Sequence, residues 1–240
     1  MRPFLPYYGG KWMAGLRYPS PIHDTLVEPF AGGAGYAVRH AARRVVLVEK
    51  DERIAAIWQY LIAVSASEMR ALPAVIHDTH GLDVCEEARN LIGFWLNPGS
   101  STPKRSPGLW MRESAERGGR LGTYWGEGVR NRLAWQLQRI RHWRVIHGDY
   151  TDAPEGPATW FVDPPYQGAG KYYRCHRVDY AALGAWCRAR VGQTIVCENE
   201  GANWLPFEAF GEWNSAQNKP TKEVVWLSGR QTTQMSLFNS

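Results

Sequence analysis

Apolar positions along the chain fall into two kinds of pattern. Short, nearly continuous runs occur at Thr25-Leu26-Val27-Glu28, Val45-Val46-Leu47-Val48-Glu49, Val145-Ile146-His147, Thr159-Trp160-Phe161-Val162 and Thr194-Ile195-Val196-Cys197. Runs without polar alternation suit strands covered on both faces, as in a parallel sheet. Between them lie stretches with helical spacing. One runs from Tyr36 to Arg44, with Ala37, Val38, Ala41 and Ala42 on its apolar side. A second opens at Lys50-Asp51-Glu52, with Asp51 as the better N-cap, and carries Ile54, Ile57, Trp58, Leu61 and Ile62. A third spans Tyr180 to Arg190. The alternation predicts an α/β fold, a mixed but mostly parallel sheet with flanking helices. Two late strands, around Phe207–Trp213 and Val224–Leu227, are expected to finish the sheet.

The alternation breaks between 64 and 144. Helical patterns at Glu68–Ile76 and Glu86–Leu96 are followed by a loop rich in Pro, Ser, Gly and Arg, from Asn97 to Gly128. A helix is then expected from about Val129 to Trp143. The chain thus divides into a discontinuous α/β domain (1–63 and 145–233), a largely helical insertion (64–144) and a tail (234–240). No internal repeat is visible.

Composition narrows the class. The 240 residues are 44% hydrophobic and 21% charged, as in soluble globular proteins. No apolar run is long enough to span a membrane, and Met1-Arg2-Pro3-Phe4 does not open a signal peptide. The four cysteines are scattered without a CxxC pair, so neither a metal centre nor a disulfide framework is expected, and a reducing cytoplasm is. Net charge is +5 but unevenly placed. Residues 101–147 hold ten Lys/Arg against three acids, which leaves the remainder slightly acidic. Trp110, Tyr124, Trp125, Trp135 and Trp143 are interleaved with these bases. Bases mixed with aromatics form a nucleic-acid footprint, and Lys104, Arg105, Arg112, Arg117, Arg120 and Arg130 are its candidate contacts. The competing reading is a solvated helix face and a loop.

Candidate chemistry centres on Asp163-Pro164-Pro165-Tyr166, which follows the fourth apolar run. The prolines lack N–H donors, so this turn offers carbonyl acceptors, a carboxylate and a flat ring. Those groups suit a planar ligand bearing an amino group, such as a nucleobase; the plain alternative is a strand-ending turn. Upstream, Pro29-Phe30-Ala31-Gly32-Gly33-Ala34-Gly35 joins a strand to a helix, as nucleotide-type sites in doubly wound sheets do. It lacks a phosphate-loop lysine, which disfavours a triphosphate. Glu49 ends the second strand 17 residues after Gly32, close to the ~20 expected of an acid that binds ribose hydroxyls. Pro6-Tyr7-Tyr8-Gly9-Gly10-Lys11 combines an approachable backbone with a cation. Gln167 to Arg174 is an aromatic, basic loop next to the tetrapeptide.

Together these motifs resemble the Dam-like, alpha-group adenine-N6 DNA methyltransferases. The resemblance covers the first 60 residues and about 145–200, with four motifs in the family's order: Tyr7–Lys11, Glu28–Gly32, Glu49 and Asp163–Tyr166. It implies a Rossmann-like S-adenosylmethionine-dependent methyltransferase fold, with 64–144 as a target-recognition insertion. It implies a catalytic role for Asp163, Pro164, Pro165 and Tyr166. It also implies S-adenosylmethionine held by Tyr7, Gly9, Lys11, Phe30, Gly32, Glu49, Asp149, Tyr150 and Asp163, with Lys11 near the methionine carboxylate. Lys171, Tyr172, Tyr173 and Arg174 would hold the DNA strand around a flipped base. Double-stranded DNA is the implied partner of a monomeric enzyme. Three features depart from the family pattern: Ala34 in the glycine loop, Glu49 in place of Asp, and a helix between Lys11 and the first strand cut short by Pro19 and Pro21. Cytosine-N4 or RNA adenine transfer, and a silent nucleic-acid-binding module, are the alternatives. Cytosine-C5 chemistry is excluded, because no cysteine follows a proline. Finally, Gln234-Met235-Ser236-Leu237-Phe238 is similar to peptides that dock on the bacterial sliding clamp through Gln234, Leu237 and Phe238.

Overall fold

Two neighbouring strands, β1 (Thr25–Glu28) and β4 (Ala158–Val162), lie at the middle of a seven-stranded sheet and carry the motifs on their carboxyl ends. The structure is a computed structural model, and it describes residues 1–41, 44–116, 124–168, 170–214 and 220–228. Arg117, Arg120 and the tail residues Gln234, Leu237 and Phe238 lie outside these.

After β1 come helix α1 (Gly35–His40), strand β2 (Arg44–Glu49) and helix α2 (Glu52–Ala63). The helices α3 (Ala66–Ala71), α4 (Glu86–Leu96), α5 (Leu109–Glu116) and α6 (Glu127–Gln136) follow, then β3 (Arg144–His147) and β4. Helix α7 (Tyr180–Arg188) and strands β5 (Gly192–Asn199), β6 (Glu208–Asn214) and β7 (Pro220–Leu227) complete the described chain. The strand order is β3-β2-β1-β4-β5-β7-β6. The first five strands are parallel, and β7 runs antiparallel to both β5 and β6. This is a Rossmann-like α/β sheet. The chain builds outward from β1 to β3, then returns to β4 on the other side of β1. At such a reversal the connecting loops part and leave a crevice at the carboxyl edge.

The period-two geometry of a strand sorts each apolar run between two faces. Leu26, Leu47, Phe161 and Ile195 join a core with Tyr36 and Val38 of α1 and Ile54, Ile57, Trp58 and Leu61 of α2. Val27, Val48, Trp160, Val162 and Val196 pack on the opposite face with Leu183 and Cys187 of α7. Asp51 caps α2, its side chain accepting from the Arg53 N–H at 3.1 Å.

The helices of 64–144 do not stand apart from the sheet. Met69, Leu72, Phe94, Trp95, Trp125, Val129 and Leu133 belong to the same continuous core as α1 and α2. Trp125 donates its indole N–H to the Pro73 carbonyl at 2.8 Å, and Trp95 donates to the Phe4 carbonyl at 2.9 Å. Several boundaries differ from expectation. Helix α1, expected to run to Arg44, ends at His40, and Arg44 opens β2. Helix α3 stops at Ala71 because Pro73 forces Leu72 into an extended conformation (φ −57°, ψ 144°). Helix α6 ends at Gln136 and tightens into a 3-10 turn over Leu137–Arg139, short of Trp143. The stretch expected to be loop throughout, Asn97–Gly128, contains α5. Among the described residues, no helix is long and apolar enough to cross a membrane.

Candidate active site

The glycine loop after β1 is held by two carboxylates, one buried (Glu28) and one half-buried (Glu49). Glu28 turns back and accepts the Ala37 N–H at 2.5 Å, fixing the start of α1. Glu49, at the end of β2, accepts the Gly32 N–H and the Asp51 N–H, each at 2.8 Å. Gly32 has φ +45°, a left-handed conformation that favours glycine. At Gly35 a β-carbon would sit 2.5 Å from the Trp12 nitrogen and 2.7 Å from the Lys11 nitrogen. Glycine there lets the N-terminal segment lie against α1, which brings Lys11 to the sheet's carboxyl edge.

One cleft of about 360 Å³ opens at that edge. Tyr7, Gly9 and Lys11 line it from the N-terminal segment, Phe30 and Gly32 from the glycine loop. Glu49, Asp149, Tyr150 and Asp163 line it from the ends of β2, β3 and β4. Every residue the resemblance assigned to the cofactor therefore faces one cavity. Of the tetrapeptide, Asp163 and Pro165 line the cleft, whereas Pro164 and Tyr166 do not.

Lys11 also engages the tetrapeptide and a second acid. Its ammonium is buried, 2.9 Å from Asp163 Oδ1 and 3.6 Å from Glu223 Oε1, and it donates to the Gly9 carbonyl at 3.1 Å. It is thus committed to the carboxylate of the tetrapeptide and to a second acid on β7. Burial opposes the charge on Lys11, but Asp163 and Glu223 outweigh it and hold the ammonium protonated. Burial likewise pushes Asp163 above the usual carboxylate range, and Lys11 pulls it part of the way back. Asp163 Oδ1 is buried and, despite its nearness to Lys11, accepts no well-directed hydrogen bond.

Tyr166 also faces inward. Its ring lies under Lys11 Nζ, 4.9 Å from the centroid, and its hydroxyl points at Glu223 at 3.4 Å. The Pro165 carbonyl accepts from Tyr180 and the Tyr166 carbonyl from the Gly170 N–H, each at 2.7 Å. The Pro164 carbonyl has no partner among the described residues. Glu198, buried on β5, accepts from the Gln167 N–H at 2.8 Å and from the Trp204 indole at 3.1 Å, bracing the loop that follows.

Electrostatics select the kind of ligand. Six acidic side chains (Glu28, Glu49, Asp51, Asp149, Asp163, Asp179) line the cleft against three cations (Lys11, Lys50, Arg177); even with Glu28 holding its proton up to about pH 8, the acids outnumber the cations. That surplus opposes a polyphosphate and suits a ligand bearing positive charge. The two Glu49 oxygens each accept one backbone N–H and keep acceptor capacity for hydroxyl donors. Phe30 and Tyr150 lie nearly parallel, 5.6 Å apart and 25° inclined, and give the cleft an aromatic wall. The residues present therefore fit S-adenosylmethionine, whose sulfonium and ammonium are cationic.

Glu28 carries a separate consequence. Burial pushes its pKa up to about 8, with the Ala37 N–H acting against the shift. A raised carboxylate pKa means the fold retains a proton that the unfolded chain releases, so stability falls as pH rises from about 4.5 to 8. At about 1.4 kcal/mol per unit the loss is at most about 5 kcal/mol. Glu28→Gln keeps an acceptor for Ala37 and removes the titration. Urea unfolding across this window is expected to show a flatter profile for the variant than for the wild type.

The expected nucleic-acid contacts are dispersed. Lys104 and Arg112 are exposed. Arg105 is exposed and paired with Asp78 at 2.8 Å. Arg130 is a correction: its guanidinium turns inward, donating to the Leu72 carbonyl at 2.7 Å and lying 3.6 Å from Glu127. Trp125 and Trp143 are core residues, while Trp135 is exposed with Arg139 over its ring. Beside the cleft, Lys171 sits on the 3-10 turn Gly170–Tyr172, and Tyr172 is exposed against Tyr8. Arg174 is exposed, 3.6 Å from Asp51. Glu28, Asp51 and Asp179 line the cleft without having been assigned to a ligand from sequence, and Tyr173, expected to hold the DNA strand, lines it too. Glu223 belongs to no sequence motif.

The fold defines the class at the level of a Rossmann-like, mostly parallel α/β protein. No family model matches the chain, and no curated protein matches it. Among solved structures it is similar to yhhF of Escherichia coli, a methyltransferase by provisional assignment, at 11% identity and a TM-score of 0.39, over 92% of this chain and 82% of that one.

Proposed function

We propose that this chain is an S-adenosylmethionine-dependent methyltransferase acting on the N6 amine of adenine in DNA. The observation that carries the reading is the position of Asp163. It ends the strand beside the glycine-loop strand and opens into the same cleft as Gly32 and Glu49. The adjacent Pro164 carbonyl is an acceptor without a partner among the described residues.

Bound S-adenosylmethionine supplies an electrophilic methyl group on a sulfonium. Glu49 would accept from its ribose hydroxyls, Phe30 and Tyr150 would flank its adenine, and the acidic lining would offset its positive charge. Adenine's exocyclic nitrogen is a poor nucleophile because its lone pair is delocalised into the ring. The Asp163 carboxylate and the Pro164 carbonyl accept the two amino hydrogens and draw the nitrogen toward tetrahedral geometry, which localises the lone pair. Catalysis then rests on positioning and electrostatics. A paired base cannot present this edge, so the base is flipped out at a cost of a few kcal/mol. Tyr166 must turn from Lys11 to stack on it.

Mass spectrometry of nucleosides from the DNA of cells producing the chain tests the reading. N6-methyladenine is expected. N4-methylcytosine would move the substrate to another exocyclic amine, and DNA without any new modified base would overturn the proposal.

A further inference from the structure

Glu223 is the acid that the motifs do not account for. It lies on the antiparallel strand β7, opposite Asn199 of β5, and its two oxygens reach three groups of the site. Oε2 accepts from the Tyr18 hydroxyl at 2.7 Å. Oε1 faces the Tyr166 hydroxyl at 3.4 Å and Lys11 Nζ at 3.6 Å. Lys11 thus stands between two carboxylates, nearer to Asp163 at 2.9 Å. A cation bound to Asp163 alone would weaken that carboxylate as an acceptor and compete with an incoming amine.

We propose that Glu223 is a positioning residue that shares the charge of Lys11 and takes the ammonium over when an exocyclic amine reaches Asp163. This rests on the methyltransferase reading for its substrate, though not for its electrostatics. The groups facing Asp163 come from every surrounding element. They are Lys11, Tyr18, Glu28 on β1, Tyr166, Tyr173, Cys197 and Glu198 on β5, and Glu223 itself. Of these, Lys11 is the cation, and Glu223 is the carboxylate that forms an ion pair with it besides Asp163.

The test uses the full chain and two readouts. First, aspartate labelled with carbon-13 at the carboxyl is titrated by NMR, with Asp163 assigned by its absence in D163N. In Glu223→Gln a like charge is lost and Lys11 falls to Asp163 alone, so Asp163 is expected to titrate about one unit lower. Glu223→Asp, with its charge one carbon farther from Lys11, is expected to shift less in the same direction; it decides the matter if the Gln variant does not fold. Second, single-turnover transfer of radiolabelled methyl groups to unmethylated genomic DNA is expected to fall about tenfold in E223Q, with its acidic limb moved to lower pH. E223D recovers part of the rate, and cofactor affinity is unchanged. An unmoved Asp163 titration overturns the inference, as does a slower rate with an unshifted profile, which would mark a packing role. A wild-type chain that transfers no methyl group defeats the functional reading instead, and the NMR titration still decides the role of Glu223.

Discussion

Asp163→Ala is expected to abolish methyl transfer while leaving the cofactor cleft able to bind. Of the groups placed to accept an amino hydrogen, Asp163 is the charged one, and the Pro164 carbonyl alone cannot draw the nitrogen toward tetrahedral geometry. Removing one preorganised electrostatic contact of this type costs about 10²- to 10³-fold in rate. Losing the carboxylate should cost at least about 10³-fold. Cofactor contacts at Glu49, Phe30 and Tyr150 lie on other strands and survive, so calorimetric affinity for S-adenosylmethionine should change only a few-fold. Lys11 retains Glu223 as a counter-ion, so the variant should fold, and Asp163→Asn should give the same result with less change in charge. Turnover near the wild-type level in either variant would refute the proposed mechanism.

Lys11→Met is expected to be the most destabilising change at the site. Lys11 is 7% exposed and has two carboxylates beside it. Breaking a buried ion pair from one side costs about 3–5 kcal/mol, because the remaining charge is left uncompensated. The pH dependence identifies the cause. Without the ammonium, Asp163, already raised by burial, rises further. A carboxylate with a raised folded pKa is tolerated best when protonated, so the deficit should be largest near neutral pH and shrink in acid. Urea unfolding at pH 7 and pH 5 measures this directly. A deficit equal at both values would mean that Lys11 contributes mainly through the packing of its stem.

The sheet was legible in the sequence because burial on both faces leaves continuous apolar runs, and three of the runs are closed by an acid at the carboxyl end. That is why Glu28, Glu49 and Asp163 could be picked out at strand ends. Helix boundaries were less legible. Leu72 ends α3 through the proline after next to Ala71, whereas the apolar spacing runs on to Ile76. The stretch around α5 hid its helix behind the Gly, Pro and Ser residues on either side. Charge counting failed for a different reason: it records that Arg130 is basic but not that its guanidinium turns inward to satisfy the Leu72 carbonyl. Glu223 was invisible because no motif surrounds it. Its role comes from the antiparallel return of β7 beside β5, a pairing between segments distant in sequence. The same holds for Tyr18, whose hydroxyl reaches Glu223 across 205 positions of chain.

The shared core beneath 64–144 has a bearing on how such a molecule could be altered. Trp125, Val129 and Leu133 belong to one core with Trp58 of α2 and Leu47 of β2. Exchanging that segment would disturb the core under the sheet as well, so a transplanted segment is expected to lower the stability of the whole chain. New binding preferences would have to be written onto its outward side chains one at a time, with the inner face left untouched.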